Sequence, residues 1–204
     1  MGSSEIKTEK PTSLKPESSV HHKMDPSALE NYLRDEAGAV VGKAEALFLP
    51  EDELQVSMVL REAAAKNIQV TVSGAGTGLT GARVPLAGWV LSTENLTSAL
   101  PNEGLKEILY KNKETGTLYQ ILFGEDPKTT EPFAVAPAGI SIGDLQEALR
   151  SHGHMYPPDP TEATALLGAT VATNASGART FRFGPTRRWI RRIRVVLPNG
   201  EVLN

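Results

Sequence analysis

The chain has 204 residues, enough for one large domain or a lobe of a larger protein. Apolar residues make up 40% and charged residues 22%, with a net charge of −3, so the overall balance does not argue for nucleic acid or an acidic membrane as partner. There is no cysteine, which excludes disulfides, iron–sulfur clusters, thiolate zinc sites and cysteine nucleophiles in this chain; redox chemistry would need a bound organic cofactor.

Residues 1–25, "MGSSEIKTEKPTSLKPESSVHHKMD", are rich in Ser, Lys, Glu and Pro and poor in large apolar side chains, which predicts a disordered tail. No charged-then-apolar leader opens the chain, and no apolar run approaches the ~18–20 residues of a membrane span. The start resembles a myristoylation signal but has Ile6 where Ser or Thr is needed. The expectation is a cytoplasmic protein, or one peripheral to a membrane, with no transmembrane segment.

The ordered part is expected over 26–204. "PSALENYLRDE" (26–36) predicts a short helix with Pro26 in its first turn. "EDELQVSMVLREAAAKN" (51–67) predicts a stronger one, acidic at its start. "IQVTVS" (68–73) is a β-branched strand running into "GAGTGLTG", and "GWVLST" (88–93) is a second strand. Residues 100–131 suggest a hairpin, or a loop with one strand. "FAVAPAG" (133–139) reads as a buried strand leading to a helix at 141–153, where Ser141 and Asp144 have capping-box spacing and Gly153 can close it. "RIRVVL" (192–197) is the last strand, turning at "PNG". Strand–helix alternation with interspersed loops argues α/β or α+β.

The glycine stretch 73–81 matches G-x-G-x-x-G at "GTGLTG", with Glu94 near the position of a ribose-binding acid. That motif must open a helix, yet only "ARVPLA" separates Gly81 from the next strand, too little for a crossover of ~10 or more residues. A Walker A loop requires Gly-Lys-Ser/Thr, and no lysine is present. A turn needed only for tight packing remains open. Against it, Gly74, Gly76, Gly78 and Gly81 would let successive N–H groups converge on an anion, most naturally a diphosphate, with hydroxyls from Ser73, Thr77 and Thr80.

A second constellation spans 157–186, "PPDPTEATALLGATVATNASGARTFRFGPT". The stiff "PPDP" would present Thr161 and Glu162 at a fixed place. The small residues that follow would let a flat or elongated ligand lie against the backbone, with Thr170, Thr173, Asn174 and Ser176 as polar contacts. The bland alternative is a small-residue helix packed on a sheet.

Taken together, "VTVSGAGTGLTGARVP", "VAPAGISIGDLQEAL" and "YPPDPTEATALLGATVATNASGARTFRFGPTRRWIRRIRVVLPNG", with the helix before them, resemble the FAD-binding domain of the vanillyl-alcohol oxidase superfamily. The branch they look most like is that of D-lactate dehydrogenase and glycolate oxidase. The resemblance covers roughly residues 45–203. It implies an α+β, two-lobed FAD-binding domain of the p-cresol methylhydroxylase (PCMH) type, with its C-terminal end and cap domain beyond this chain.

By that resemblance the glycine loop holds the FAD pyrophosphate, through Ser73, Gly74, Ala75, Gly76, Thr77 and Gly78, with Leu79 and Thr80 as neighbours. Pro137 and Gly139 match the turn beside the flavin. Pro160, Thr161, Gly168 and Ala169 match the segment lining the flavin and ribityl chain, and Thr173, Asn174, Ser176 and Gly177 the next contact group. Ala169 departs from a common Gly, and Phe183 stands where a Tyr is frequent. Some relatives attach flavin through His or Cys. The loop here has Ala75 and the chain no Cys, so non-covalent FAD is expected, with His152 and His154 as turn residues.

The implied activity is oxidation of a 2-hydroxy acid such as D-lactate or glycolate by hydride transfer to flavin N5. Substrate contacts would come largely from a cap domain outside this chain, and the chain alone is expected to be inactive. Its catalytic residues, electron acceptor and oligomeric state stay unassigned. One alternative is the same fold serving an alkyl-dihydroxyacetone-phosphate synthase-like reaction. Another is a non-catalytic flavin-binding or docking fragment using Arg179, Arg182, Arg187, Arg188, Arg191, Arg192 and Arg194, although these read more simply as a solvated face.

Overall fold

The computed structural model describes residues 22–23, 26–101 and 104–204. The tail expected over 1–25 therefore lies outside the described residues except for His22–Lys23, which form a short strand. The chain divides into two compact units, one built from residues up to 92 together with 190–204, the other from 93–189. This division agrees with the two lobes expected from the sequence.

In the first unit, β2 (Ala46–Phe48), β4 (Trp89–Ser92) and β3 (Val70–Ser73) run parallel, and β1 (His22–Lys23) joins β2 antiparallel, giving the order β1-β2-β4-β3. The register places Leu47 beside Val90 and Val72 beside Leu91. β2 and β4 are buried along their whole length, as the inner strands of a parallel sheet covered on both faces should be. Leu47, Leu49 and Val90 pack with Leu29, Tyr32 and Ala44.

The connection between β2 and β3 is α2 (Glu53–Ala65). It starts where the Asp52 side chain accepts from the Gln55 N–H at 2.8 Å, and it buries Val56, Val59 and Ala63 at helical spacing. The polar Ser57 also points inward, donating to the Gly200 carbonyl at 2.5 Å. Gly200 lies in the turn between β8 (Val195–Val196) and β9 (Val202–Leu203), which pair antiparallel. Arg194 forks onto the Glu53 carboxylate at the start of α2, with Nη2 3.0 Å from Oε1. The strand expected over 192–197 is thus only Val195–Val196, and Arg194 just before it binds Glu53 of α2.

The helix expected over 26–36 is also shorter. α1 covers Pro26–Glu30, and the chain then leaves the helix through a turn in which the Asn31 carbonyl accepts from Arg83 Nη2 at 2.9 Å. That bond takes a carbonyl that further helix would have used.

In the second unit, β5 (Lys106–Lys111), β6 (Leu118–Glu125) and β7 (Pro132–Val135) form an antiparallel sheet in that order, so residues 100–131 contain a hairpin. The strand expected over 133–139 ends at Val135 and lies half-exposed at the sheet edge. Pro137, which has no N–H to donate, follows close behind. α3 (Ile142–Arg150) begins at Ser141, whose Oγ accepts from the Asp144 N–H and donates to the Asp144 carboxylate. Ile140, Leu145, Ala148 and Leu149 close over Ile108, Tyr119 and Ile121 of the hairpin. α4 (Leu167–Thr173), α5 (Thr180–Phe183) and a 3-10 turn at Thr186–Trp189 complete the unit.

Tyr156 packs against the core of this second unit. Its hydroxyl is buried with no hydrogen-bond partner among the described residues. Burial pushes its pKa from 10.0 up to about 12, the neighbouring Thr186 hydroxyl acting in the opposite direction.

Two outcomes follow from these contacts. Asp52→Ala should lower stability by about 1 kcal/mol, read as a lower urea midpoint at unchanged slope, because the first turn of α2 loses its cap. The raised Tyr156 value keeps the folded phenol protonated when the unfolded chain has ionised. Its stabilising share is therefore full below pH 10.0 and lost as the pH rises toward about 12. Tyr156→Phe should flatten that alkaline decline while leaving stability at neutral pH undiminished, as removal of an unpartnered buried hydroxyl predicts.

Candidate functional site

The glycine stretch leaves β3 at Ser73 and reaches β4 without regular structure. Two residues just past α1 hold it. The Glu36 N–H donates to the carbonyls of Gly76 at 3.0 Å and Gly78 at 3.2 Å. Asp35 Oδ2 accepts from the Gly81 N–H at 2.6 Å. Gly76 adopts φ +86°, in the left-handed region, and any side chain there would run into the Arg83 guanidinium. Around Gly78, by contrast, there is open space.

The N–H groups of residues 75–80 donate to no acceptor among the described residues. The hydroxyls of Thr77 and Thr80 likewise have no partner among them. Leu79 is exposed with them at the outer side of the loop. The Ser73 hydroxyl differs from expectation. It is fully buried and donates to the Gly74 carbonyl at 3.0 Å, so it stabilises the exit of β3 and does not face outward. A polar cavity of about 410 Å³ opens beside the loop, with Arg34, Asp35, Glu36, Ala75, Gly76 and Arg83 in its wall.

Within the second unit, residues 138–142 are zipped onto 165–168 and tied to Leu96. The Gly139 N–H donates to the Leu96 carbonyl, Leu167 to Ile140, Gly168 to Ala138 and Ile142 to Ala165, all between 2.8 and 2.9 Å. These bonds set Pro137, Gly139, Gly168 and Ala169 into one neighbourhood. Gly139 has no room for a side chain, which would meet the carbonyl oxygens of Thr93, Glu94 and Leu96. A separate bridge pairs Pro160 with Gly177, so closely that a side chain at 177 would enter the Asp159 backbone. The Arg179 guanidinium lies 3.2 Å from Asp159, on the same corner.

The small-residue run is helical from Leu167 to Thr173, as far as the helical part of the bland alternative goes. Asn174 stops it in a left-handed conformation at φ 50°, where its Oδ1 accepts from the Arg187 N–H at 3.0 Å and Nδ2 keeps no partner among the described residues. Thr170, expected as a ligand contact, is buried and donates to the Leu167 carbonyl of its own helix at 2.8 Å. Thr173 makes the same kind of bond to Ala169 but stays exposed. Thr161 and Ser176 are exposed, with hydroxyls that have no partner among the described residues.

Asp35, Glu36 and Arg83 are the residues sequence reasoning missed. Arg83 stands two residues past the glycine stretch, in the short connector to β4, where no local pattern marks it. Nothing local marks Asp35, which meets Gly81 only through the fold. Elsewhere, the His154 ring packs on Phe123 at 4.4 Å and His152 Nδ1 lies 3.0 Å from the Ala148 carbonyl. Arg179, Arg182, Arg187 and Arg188 in the second unit, and Arg191, Arg192 and Arg194 in the first, are all exposed. No cluster of three or more potential metal ligands, and no helix long and apolar enough to cross a membrane, occurs among the described residues.

With this geometry in view, the comparisons with known proteins are consistent across the chain. It is 34% identical over 177 residues to a D-lactate dehydrogenase of Anaerostipes hadrus, covering 85% of this chain and 32% of that protein. It is 31% identical over 183 residues to a D-2-hydroxyglutarate dehydrogenase of Xanthomonas citri pv. viticola, covering 89% and 34% respectively. The chain therefore spans about a third of the length of these curated relatives. A solved alkyldihydroxyacetonephosphate synthase superposes with a TM-score of 0.66 over 90% of this chain and 32% of its own, at 18% identity, a likeness of fold alone. Residues 44–104 and 124–204, which contain the glycine loop and the zipped segments, match the family described as FAD binding domain, and the chain belongs to that family.

Proposed function

We propose that this chain is the FAD-holding part of a longer oxidoreductase that acts on a small 2-hydroxy acid, of the kind its dehydrogenase relatives are named for. The observation that carries the cofactor assignment is the run of N–H groups at 75–80. The loop's carbonyls at Gly76 and Gly78 are consumed by Glu36, and its donors are left open. A diphosphate needs such donors and no acceptors, so the loop fits FAD.

In this reading Gly74, Ala75, Gly76, Thr77, Gly78, Leu79 and Thr80 hold the diphosphate by backbone N–H groups and two threonine hydroxyls, with Ser73 supporting the loop from inside. Pro137, Gly139, Gly168 and Ala169 offer close backbone approach to the flavin. Pro160, Thr161, Thr173, Asn174, Ser176 and Gly177 serve its polar side chain, Asn174 Nδ2 being the open amide donor. When bound, FAD supplies a two-electron acceptor, so that the 2-hydroxy acid leaves as the 2-oxo acid. Attachment is non-covalent, since Ala75 stands in the loop and the chain has no cysteine. Substrate contacts, a cap domain and the electron acceptor belong to the remainder of the longer protein, and we place the protein in the cytoplasm.

The test is a titration of the purified chain with FAD, followed by flavin fluorescence. The control variant is Gly78→Asp rather than a change at Gly76, because position 78 has space for a side chain and the variant should keep its fold. Saturable binding in the wild type should be lost in Gly78→Asp, whose carboxylate repels the diphosphate, with unchanged circular dichroism. Equal affinity of the two would remove the loop from the cofactor site. In the longer protein loaded with FAD, anaerobic D-lactate or D-2-hydroxyglutarate should bleach the flavin absorbance; no bleaching by any 2-hydroxy acid would sink the substrate class.

A further inference from the structure

Arg83 lies past the end of the glycine stretch, yet its side chain returns into it. The guanidinium fills the space that a side chain at Gly76 would occupy. Its Nη2 donates to the Asn31 carbonyl at 2.9 Å, and its Cζ stands 5.3 Å over the Tyr32 ring. Arg83 thus joins the turn after α1 to the middle of the loop. The same turn supplies Asp35 and Glu36, which bond Gly81, Gly76 and Gly78. Only a planar, forked cation can fill that space, donate sideways and stack at once; a lysine ammonium on a flexible stem cannot.

We propose that Arg83 is a positioning residue for the diphosphate-binding loop: it braces Gly76 in its left-handed conformation against Asn31 and Tyr32, so that the N–H groups of 75–80 are set before the cofactor arrives. The energetic logic is preorganisation. A glycine-rich loop left to itself populates many backbone states, and each ligand encounter would then carry the cost of ordering it. Beside the loop the brace also places a fixed positive charge, in the wall of the cavity that Ala75 and Gly76 share. The inference about the cofactor rests on the FAD reading above; the inference about the loop does not.

The experiment compares the full chain with Arg83→Ala and Arg83→Lys by amide hydrogen exchange without FAD, and by FAD titration. Arg83→Ala should speed exchange at the Glu36 and Gly81 N–H groups, which are bonded across the loop, and leave Trp89 and Val90 of β4 protected. FAD affinity should fall by roughly tenfold or more. Arg83→Lys should behave like Arg83→Ala in both measurements. Unchanged exchange at Glu36 and Gly81 in Arg83→Ala would overturn the brace, and full recovery of FAD affinity by Arg83→Lys would show that charge alone matters and overturn it as well. Should the wild type bind no FAD, the cofactor reading fails, while the exchange data still decide whether Arg83 orders the loop.

Discussion

A backbone without secondary structure must still find partners for its polar groups, and the glycine loop does so on one side only. The single N–H of Glu36 is shared between the Gly76 and Gly78 carbonyls. Those two carbonyls are thus occupied while the N–H groups of 75–80 have no acceptor among the described residues, which suits an anion. The rest of the first unit serves this arrangement. The parallel strands β3 and β4 fix the two ends of the loop, and the core of Leu47, Leu49 and Val90 holds Leu29 and Tyr32, so that α1 delivers Asp35 and Glu36 to the right place. Shortening of α1 to a single turn and a half is part of the same design, because a continued helix would have committed the Asn31 carbonyl elsewhere.

The second unit meets the same constraint by a different route. Its irregular segments pair with each other, 138–142 against 165–168 and Pro160 against Gly177, and the backbone bonds are consumed inside the pairing. What stays open is side-chain chemistry: the hydroxyls of Thr161 and Ser176 and the amide of Asn174. Small residues at 139, 168 and 177 are required by these close approaches before any ligand is considered. A glycine in such a segment therefore has two explanations, and the packing one is sufficient at Gly139 and Gly177. At Gly78, where nothing lies near a side chain, packing does not account for the glycine.

Much of the first unit was legible because its signals are local. The order α2, β3, β4 follows from apolar spacing in α2 and from the apolar and β-branched runs after it, and the Ser141 cap lies three residues from the N–H group it serves; β2, the apolar Ala46–Phe48 with no β-branched residue, was not legible. Hydroxyl direction was not legible. Ser73 and Thr170 looked like ligand contacts by composition, yet each donates to a carbonyl of its own segment, since a buried hydroxyl must satisfy itself with the nearest acceptor.

The sequence by itself determined the family and the main helices and strands around the glycine stretch, because glycine spacing, caps and β-branched runs act over a few residues. Only the tertiary structure decided which backbone groups are available. The partners that settle this, Glu36 for Gly76 and Gly78, Asp35 for Gly81 and Leu96 for Gly139, stand about 40 residues away along the chain and are brought in by the packing of a core rather than by any local pattern.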